Sequence, residues 1–494
     1  MNILLVYPEY PDTFWSFKHA LKFVNRKAAN PPLGLITVSS MLPGNWNKKL
    51  VDMNVSKLKE KHLKWADYVY ISAMSVQKQS VLELIVRCKA MHKPTVAGGP
   101  LFTSYFEDFN EIDHLILNEA ELTLDQFIHD VNAGIPKKIY QNANFPDLDE
   151  TPLPDYSLLR IKKYASINIQ FSRGCPFNCD FCDVTALFGH KVRTKPTHRI
   201  LMELQAIYNT GWRGNILFVD DNFIGNKKRL KYDLLPAMIE WMKARKSPFS
   251  FTTEASINLA DDPELMKLMA QAGFGNVFVG IETPEESCLS ECNKTQNKNR
   301  DLIRSVNTIQ QSGIEVTAGF IVGFDNDTSS IFQRQIDFIQ NSGIITAMVG
   351  LLNAPKKTKL YQRLVKEDRI IHEMSGNNTD YSMNFLPKMD RDELLNGYRN
   401  IINGIYACKP YYKRVMHFLK EFDPVTANKT KVSFRDFMAL LKSIFVLGAI
   451  DRSRKYYWRL FFWSLFKKPS IFPLAITYSI YGYHFRKTFG VFNI

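Results

Sequence analysis

Residues 171–183 read FSRGCPFNCDFCD, and three cysteines within this stretch, Cys175, Cys179 and Cys182, stand at a C-x3-C-x2-C spacing. They follow directly on a strand-like run, Ser166 to Ser172. A short loop can therefore wrap three thiolates around one face of an iron–sulfur cube. Four thiolates would close a 4Fe–4S cluster, whereas three leave one iron free to bind something that is not protein. A zinc knuckle with a fourth ligand elsewhere is the competing reading. Zinc sites favour pairs of C-x2-C, however, and no second such pair occurs in the chain.

Phe181, the aromatic residue before the third cysteine, completes a pattern that resembles the signature loop of the radical S-adenosylmethionine (SAM) enzymes. The resemblance implies that the free iron chelates the amino and carboxylate groups of SAM. It also implies that an electron from the cluster splits SAM into methionine and a 5′-deoxyadenosyl radical, which takes hydrogen from unactivated carbon.

The chain has 494 residues, enough for two or three domains that each bury a core. Apart from the triplet, the cysteines are Cys88, Cys288, Cys292 and Cys408, which is no disulfide framework. With a start, MNILLVYP, that lacks a signal peptide, this points to a reducing cytoplasm. Cys288 and Cys292 read either as ordinary semi-buried thiols or as metal ligands. The net charge of +14 suggests nucleic acid or a membrane surface wherever it gathers into patches.

Residues 1–145 alternate strand and helix. Apolar runs at 2–7, 49–52, 68–72, 94–97 and 114–117 read as strands, with helical stretches such as 33–41 and 76–91 between them. That order predicts a doubly wound parallel sheet, which binds ligands at the carboxyl ends of its strands. The loops at those ends hold Tyr7-Pro8-Glu9, Ser72-Ala73-Met74, Gly98-Gly99-Pro100 and Asn118-Glu119-Ala120-Glu121. Glycine pairs let backbone approach a large flat ligand, although Gly-Gly-Pro also serves as a plain turn. The loop from Glu9 to Pro32 carries Tyr10, Phe14, Trp15, Phe17, His19 and Phe23, which read either as a helix face packed on the sheet or as part of a ligand site.

Set just before the cysteine loop, these features resemble the cobalamin-binding domain of the cobalamin-dependent radical SAM enzymes. The resemblance implies cobalamin contacts from Ser72, Gly98, Gly99, Pro100 and Glu119. Asp-x-His-x-x-Gly, which in many cobalamin domains places a histidine on cobalt, is absent from the chain, and His19 lacks the partners. Bound cobalamin is therefore expected without a histidine beneath the metal. Asn118 stands where the family has glycine, and Asn tolerates the positive φ that the turn needs.

The stretch FPDLDETPLPD (145–155), whose prolines and acids show no periodicity, marks a linker over 146–160. From 161 to 360 strand-like runs recur at 167–172, 216–219, 249–254, 277–281, 316–322 and 347–352. Six repeats fall short of the eight that close a full barrel, so a partial α/β barrel is expected, as in radical SAM enzymes. Its strand ends carry Asp220-Asp221, Glu254, Gly280-Ile281-Glu282 and Gly319. With Phe181, the residues Asp220, Asp221, Glu254, Gly280, Glu282 and Gly319 are the SAM contacts that the resemblance implies. An acid at a strand end can equally cap the next helix. Arg193 and Lys195 read as partners of the SAM carboxylate or as a solvated basic loop.

The last part, residues 361–494, is expected to be helical, and it answers the charge question. From Lys429 onward stand twelve Lys and Arg, two Asp and seventeen aromatic residues. No apolar segment reaches the roughly 18 residues of a spanning helix. Basic and aromatic residues at this density suit an interfacial helix on anionic lipid, or a helical cap whose aromatics are core. Nucleic acid is a poorer fit, because Phe, Leu and Ile suit acyl chains better than bases.

The full order resembles the cobalamin-dependent radical SAM enzymes along nearly the whole chain, and YPEYPDTFWSFKHALKF (7–23), NPPLGLITVSSMLP (30–43) and Leu351-Leu352-Asn353-Ala354-Pro355 look closest to the hopanoid C-2 methylase and its relatives. Lys356-Lys357-Thr358 replaces their small Pro/Gly turn, which points to a different substrate. The resemblance implies two SAM molecules per turnover. One supplies a methyl group through cobalamin, and the other supplies the radical that opens an sp3 carbon. It implies a small-molecule or lipid substrate and a reductant protein such as flavodoxin or ferredoxin, while the cysteine usage and the basic, aromatic tail point to a cytoplasmic location with peripheral membrane contact through 429–494. The rival reading is a radical SAM enzyme that forms a ring or C–C bond without methyl transfer.

Overall fold

The computed structural model describes residues 1–423 and 434–491, so 429–433 and 492–494 of the basic tail lie outside the described residues. Strand β1 (Asn2–Tyr7) lies inside a six-stranded parallel sheet with β2 (Asn47–Asp52), β3 (Tyr68–Ser72), β4 (Thr95–Gly98), β5 (His114–Ile116) and β6 (Ile139–Tyr140). The order is β2-β1-β3-β4-β5-β6. Leu4 and Val6 pack on one face with Leu84 and Phe102, while Ile3 and Leu5 pack on the other with Leu35 and Phe127. A strand covered on both sides must be apolar throughout, hence the unbroken run ILLV. The direction of winding reverses between β1 and β3, and the crevice at their carboxyl ends is where such sheets take ligands.

The second sheet is the partial barrel. It runs β7 (Ile167–Ile169), β10 (Asn215–Phe218), β11 (Ser250–Glu254), β12 (Phe274–Glu282), β13 (Glu315–Val322) and β14 (Ala347–Leu351), all parallel and each beside its successor. The cysteine loop sits between β7 and β10, braced by a two-stranded antiparallel hairpin of β8 (Ser172–Arg173) and β9 (Arg193–Thr194). All six expected strands are present, β12 being longer at both ends than its apolar core.

With six strands, the barrel is open between β7 and β14, and the aromatic loop 9–32 crosses that seam. At one end the amides of Ala165 and Ser166 donate to the carbonyls of Ala28 (3.0 Å) and Ala29 (2.9 Å), and Asn168 Nδ2 donates to the Pro31 carbonyl (3.1 Å). At the other end Phe14 packs against Tyr406, whose hydroxyl donates to the Ala347 carbonyl at the start of β14 (2.6 Å). The helix Phe472–Phe489 lies over the loop, with Phe485 stacked on Phe14 at 4.5 Å. Burial pushes the His484 imidazole down to about 4, so it stays neutral beside the Phe14 carbonyl (3.0 Å). The loop aromatics therefore close the barrel and do not simply cover their own sheet.

Of the other carboxy-terminal helices, Arg391–Tyr406 brings Tyr406 to this seam, and Cys408–Glu421 and Arg454–Lys467 pack around Phe472–Phe489. Tyr411, Tyr457, Tyr478 and Phe485 are fully buried, so part of the aromatic content is core. Among the described residues no helix is long and apolar enough to cross a membrane.

Candidate active site

Asp220 organises the loop that carries the cysteines. Its carboxylate accepts from the Phe171 amide (3.1 Å), the Ser172 amide and the Ser172 hydroxyl (2.5 Å). Gly174 follows at φ +91°, where a Cβ would lie 2.8 Å from the Lys191 carbonyl. Only glycine fits that close approach. Asp221 accepts from the Gly174 amide (3.1 Å). Burial raises Asp220 to about 7 and Asp221 to about 6, despite these hydrogen bonds. Asp220, expected to face SAM, is turned instead into the backbone of the loop, and Asp221 is the member of the pair on the cavity side.

Cys175, Cys179 and Cys182 are half-buried on this loop, and burial raises all three thiols, Cys182 to about 12. Lys294 lies beside them, its Nζ 2.6 Å from Glu282 Oε1 and 5.8 Å from the Phe181 ring. Burial pulls Lys294 down, but Glu282 and the nearby cysteines outweigh it and hold the ammonium charged. Gln296 Nε2 approaches Cys179 Sγ at 3.7 Å. One cation beside the three thiols and one amide donor on Cys179 are a polar setting suited to a negatively charged cluster, so the three cysteines would hold a 4Fe–4S group. Gly280 lies against the Glu282–Lys294 pair and Gly319 against the Phe278 ring. Cys288 donates to Asp327 Oδ1 (3.2 Å) and Cys292 to the Leu289 carbonyl (3.7 Å), both as buried thiols.

The carboxyl ends of both sheets open into one cavity of roughly 1310 Å³. From the first sheet it is lined by Ser72, Gly98, Gly99, Pro100, Asn118 and Glu119. Gly99 has φ +96° and a Cβ there would sit 2.7 Å from Ser72 Oγ, so the turn is built on glycine and presents bare backbone. Asn118 holds the positive φ expected of it, +64°. No histidine is among the lining residues, and His19 lies beside His484 instead. A backbone-rich wall of this kind would suit the broad face of a corrin.

From the barrel, alternate residues point inward in register. Asn168, Leu217, Thr252, Asn276 and Glu315 follow one another across the ladder, and Glu254, Phe278 and Thr317 form the next layer. That layer is two residues, or about 7 Å, nearer the cysteine loop. All eight line the cavity. Burial, then Asp221 and Asp220, raise Glu254 to about 7. Burial raises Glu315 likewise to about 7, beside Tyr478 and Asn276. Asn168 Oδ1 and Thr346 Oγ1, both buried on the cavity wall, have no hydrogen-bond partner among the described residues, and the Tyr478 hydroxyl faces Glu315. Trp15, Leu474, Ile480 and Tyr481 complete an apolar side.

Charged side chains join the two sheets. Arg173, directly before the cysteine loop, reaches Glu119 and, at 2.9 Å, Glu121, while Arg193 holds Glu119 at 2.6 Å. Burial alone would raise Glu121, but Arg173 outweighs it and keeps the carboxylate below its ordinary range. Glu119 thus lines the cavity as part of a buried latch. Arg193 is neither a solvated loop residue nor a SAM partner here, and Lys195 is buried against Glu203 at 2.5 Å. Lys357 adds a second tie, donating to the Thr103 carbonyl at 2.7 Å. Arg173 and Lys294 escaped the sequence reading. Arg173 had a signal in its place within the motif, whereas Lys294 reaches the loop only through folding.

Comparison with known proteins agrees with this architecture. Residues 169–339 match the radical SAM superfamily and residues 358–492 match a domain of unknown function, DUF4070. An uncharacterized methyltransferase of Synechocystis sp. is 40% identical over 98% of this chain and 91% of its own length. The hopanoid C-2 methylase of Rhodopseudomonas palustris is 33% identical over 90% of this chain and 85% of its own. The fold is shared with two solved structures. One is the cobalamin-dependent SAM radical enzyme OxsB with aqua-cobalamin bound (TM-score 0.62, 16% identity, 98% of this chain and 80% of that one). The other is the radical SAM methyltransferase TsrM of Kitasatospora setae with cobalamin and a 4Fe–4S cluster bound (TM-score 0.58, 13% identity, 93% and 99%). Arg173 and Phe188, which flank the cysteine loop, meet a glycine-lined sheet edge at one cavity, and relatives matched over most of their length are methyltransferases: the chain belongs to the cobalamin-dependent radical SAM methyltransferases, in the group that contains the hopanoid C-2 methylase.

Proposed function

We propose that the enzyme places a methyl group on an unactivated sp3 carbon of an apolar, lipid-like substrate held in the cavity between the two sheets. The observation that supports this reading is the lining, in which Trp15, Leu217, Phe278, Leu474, Ile480 and Tyr481 offer an apolar body between two sets of polar strand ends. A relative that methylates a hopanoid points to the same substrate class.

With its cofactors bound, the site has hydrogen abstraction from the cluster and SAM, and a methyl group from cobalamin. The chain supplies position and dryness. Cys175, Cys179 and Cys182 hold the cluster, and Lys294 balances its charge. Asp221 and Glu254 face the cavity where a SAM ammonium or ribose hydroxyl needs acceptors. Phe181 and Glu282, both beside Lys294, would flank the cluster, with Gly280 against the Glu282–Lys294 pair and Gly319 set back against Phe278. Ser72, Gly98, Gly99 and Pro100 offer backbone to the corrin face. Trp15 and Phe278, in edge contact at 5.4 Å, exclude water from the space between. A reductant protein such as flavodoxin or ferredoxin would bring the electron.

The test is lipid mass spectrometry of a host that makes polycyclic triterpenes and expresses either this chain or its Cys179→Ala variant. A methylated lipid found only with the intact loop is expected. Unchanged lipids, with deoxyadenosine still formed by the purified enzyme, would remove the lipid assignment.

A further inference from the structure

We propose that residues 434–467 form a docking surface for anionic membrane lipid, placed so that a lipid can pass from the bilayer into the cavity. Two helical arms, Phe434–Ser443 extended through Ile444–Ile450 and Arg454–Lys467, fold back on each other. Their inner faces are complete. Tyr457 and Ser443 share a hydroxyl hydrogen bond (2.9 Å), and Trp458 Nε1 donates to the Gly448 carbonyl (2.9 Å).

The outer faces carry large apolar groups that no packing within the chain requires. Phe437, Leu441 and Phe445 recur one turn apart on the first arm, with Phe445 65% exposed. On the second arm the rings of Trp458, Phe462 and Phe466 stack in a row, and Phe466 is 72% exposed. Interleaved with them are exposed Arg452, Arg454, Lys455, Arg459 and Lys467. Asp451, one of two acids here, faces Arg486 at 3.5 Å.

Charge selects the occupant. A second copy docked on the same face by two-fold symmetry would set these cations against themselves. Nucleic acid would use the cations but not Leu441 and Ile450, which cannot stack on bases. Anionic lipid meets both needs, with phosphates for the cations and acyl chains for the Phe and Leu side chains. The cavity reaches Arg435 and Asp436 at the base of the first arm and Leu474 and Thr477 on the next helix, beside this surface. The inference deepens the lipid-substrate reading, on which the passage of lipid rests, while the docking itself is read without turnover.

The test is co-sedimentation of the cofactor-loaded protein with phosphatidylcholine vesicles, with and without about one-third phosphatidylglycerol. Binding to the anionic vesicles is expected, weakened by salt. The double variant Phe445→Ser/Phe466→Ser and the double variant Arg454→Glu/Lys455→Glu should each bind roughly tenfold or more weakly. Substrate-free deoxyadenosine formation, unchanged in both variants, confirms that they fold. Equal binding by wild type and variants would overturn the proposal, as would no binding to anionic vesicles or lipid-independent dimers joined through this face. Methylation of detergent-dispersed lipid in that case would leave the lipid assignment standing. Vesicle binding without any methylated lipid would do the reverse.

Discussion

The two parallel sheets turn their carboxyl edges toward the same cavity, yet they are built on opposite principles. The first edge offers bare backbone at Ser72, Gly98, Gly99 and Pro100, and its buried acids, Glu119 and Glu121, are neutralised by arginines. The barrel edge is charged and layered, with Asp221 and Glu254 at the mouth and Glu315 below. Bare backbone suits a broad ligand that brings its own reactivity, and side-chain charge suits a small zwitterion that must be oriented. Under the proposed function, this contrast would keep two cofactors apart in one cavity.

Removing the barrel's defining group should have the greatest consequence. Cys179→Ala should reduce SAM cleavage by roughly a thousandfold or more, because an incompletely held cluster cannot deliver its electron. Corrinoid binding at the other edge should survive, which absorbance of the retained cofactor would report. Loss of both together would mean that the edges are not independent.

Next comes the latch. Arg173→Ala leaves Glu121 buried without its cation and Glu119 with only Arg193, and about 3–5 kcal/mol of stability should be lost in denaturant melts. Glu121 is depressed when folded, so the stability it contributes is present above its ordinary 4.5 and lost as the pH falls below that toward its folded value. In the variant that acid-side loss should disappear. A melt unchanged at neutral pH would mean that Arg173 does not join the sheets.

Glu315 carries the opposite sign. Its folded value, about 7, lies above the ordinary 4.5, so between those values the folded chain keeps a proton that the unfolded chain has released. Wild-type stability should therefore fall as the pH rises through that window and level off above it. Glu315→Gln removes this contribution, and the variant should gain on the order of 2 kcal/mol relative to wild type between pH 5 and 8. Parallel pH profiles would show that Glu315 is solvated and that the lower layer is not closed. The smallest effect belongs to the first edge. Gly99→Ala strains a φ of +96° and sets a methyl against Ser72, so corrinoid retention should drop about tenfold with cluster content unchanged.

What could be read from the chain follows from how far each determinant reaches. Cys175, Cys179 and Cys182 lie on one loop, and most of the strands carry an apolar run, as ILLV does in β1, so the cysteine loop and both sheets were legible. The strand β6, only two residues long, carries no pattern to read. Asp220 and Asp221 looked alike at a strand end, and only the fold separates them, one toward the loop amides and one toward the cavity. The aromatics of 9–32 suggested packing or a ligand site, but their closure of the barrel seam depends on contacts with Tyr406 and Phe485, far along the chain. Glu315 gave no sign because it starts its strand, away from the end where catalytic groups gather.

The most direct test uses anaerobically reconstituted protein with hydroxocobalamin, reductant, a polycyclic lipid and SAM bearing a deuterated methyl group. The expected result is bound corrinoid, and one deoxyadenosine and one S-adenosylhomocysteine for each lipid molecule that gains the labelled methyl on an sp3 carbon. Deoxyadenosine accompanied by a cyclised or coupled product without the label would contradict methyl transfer and favour ring or C–C bond formation.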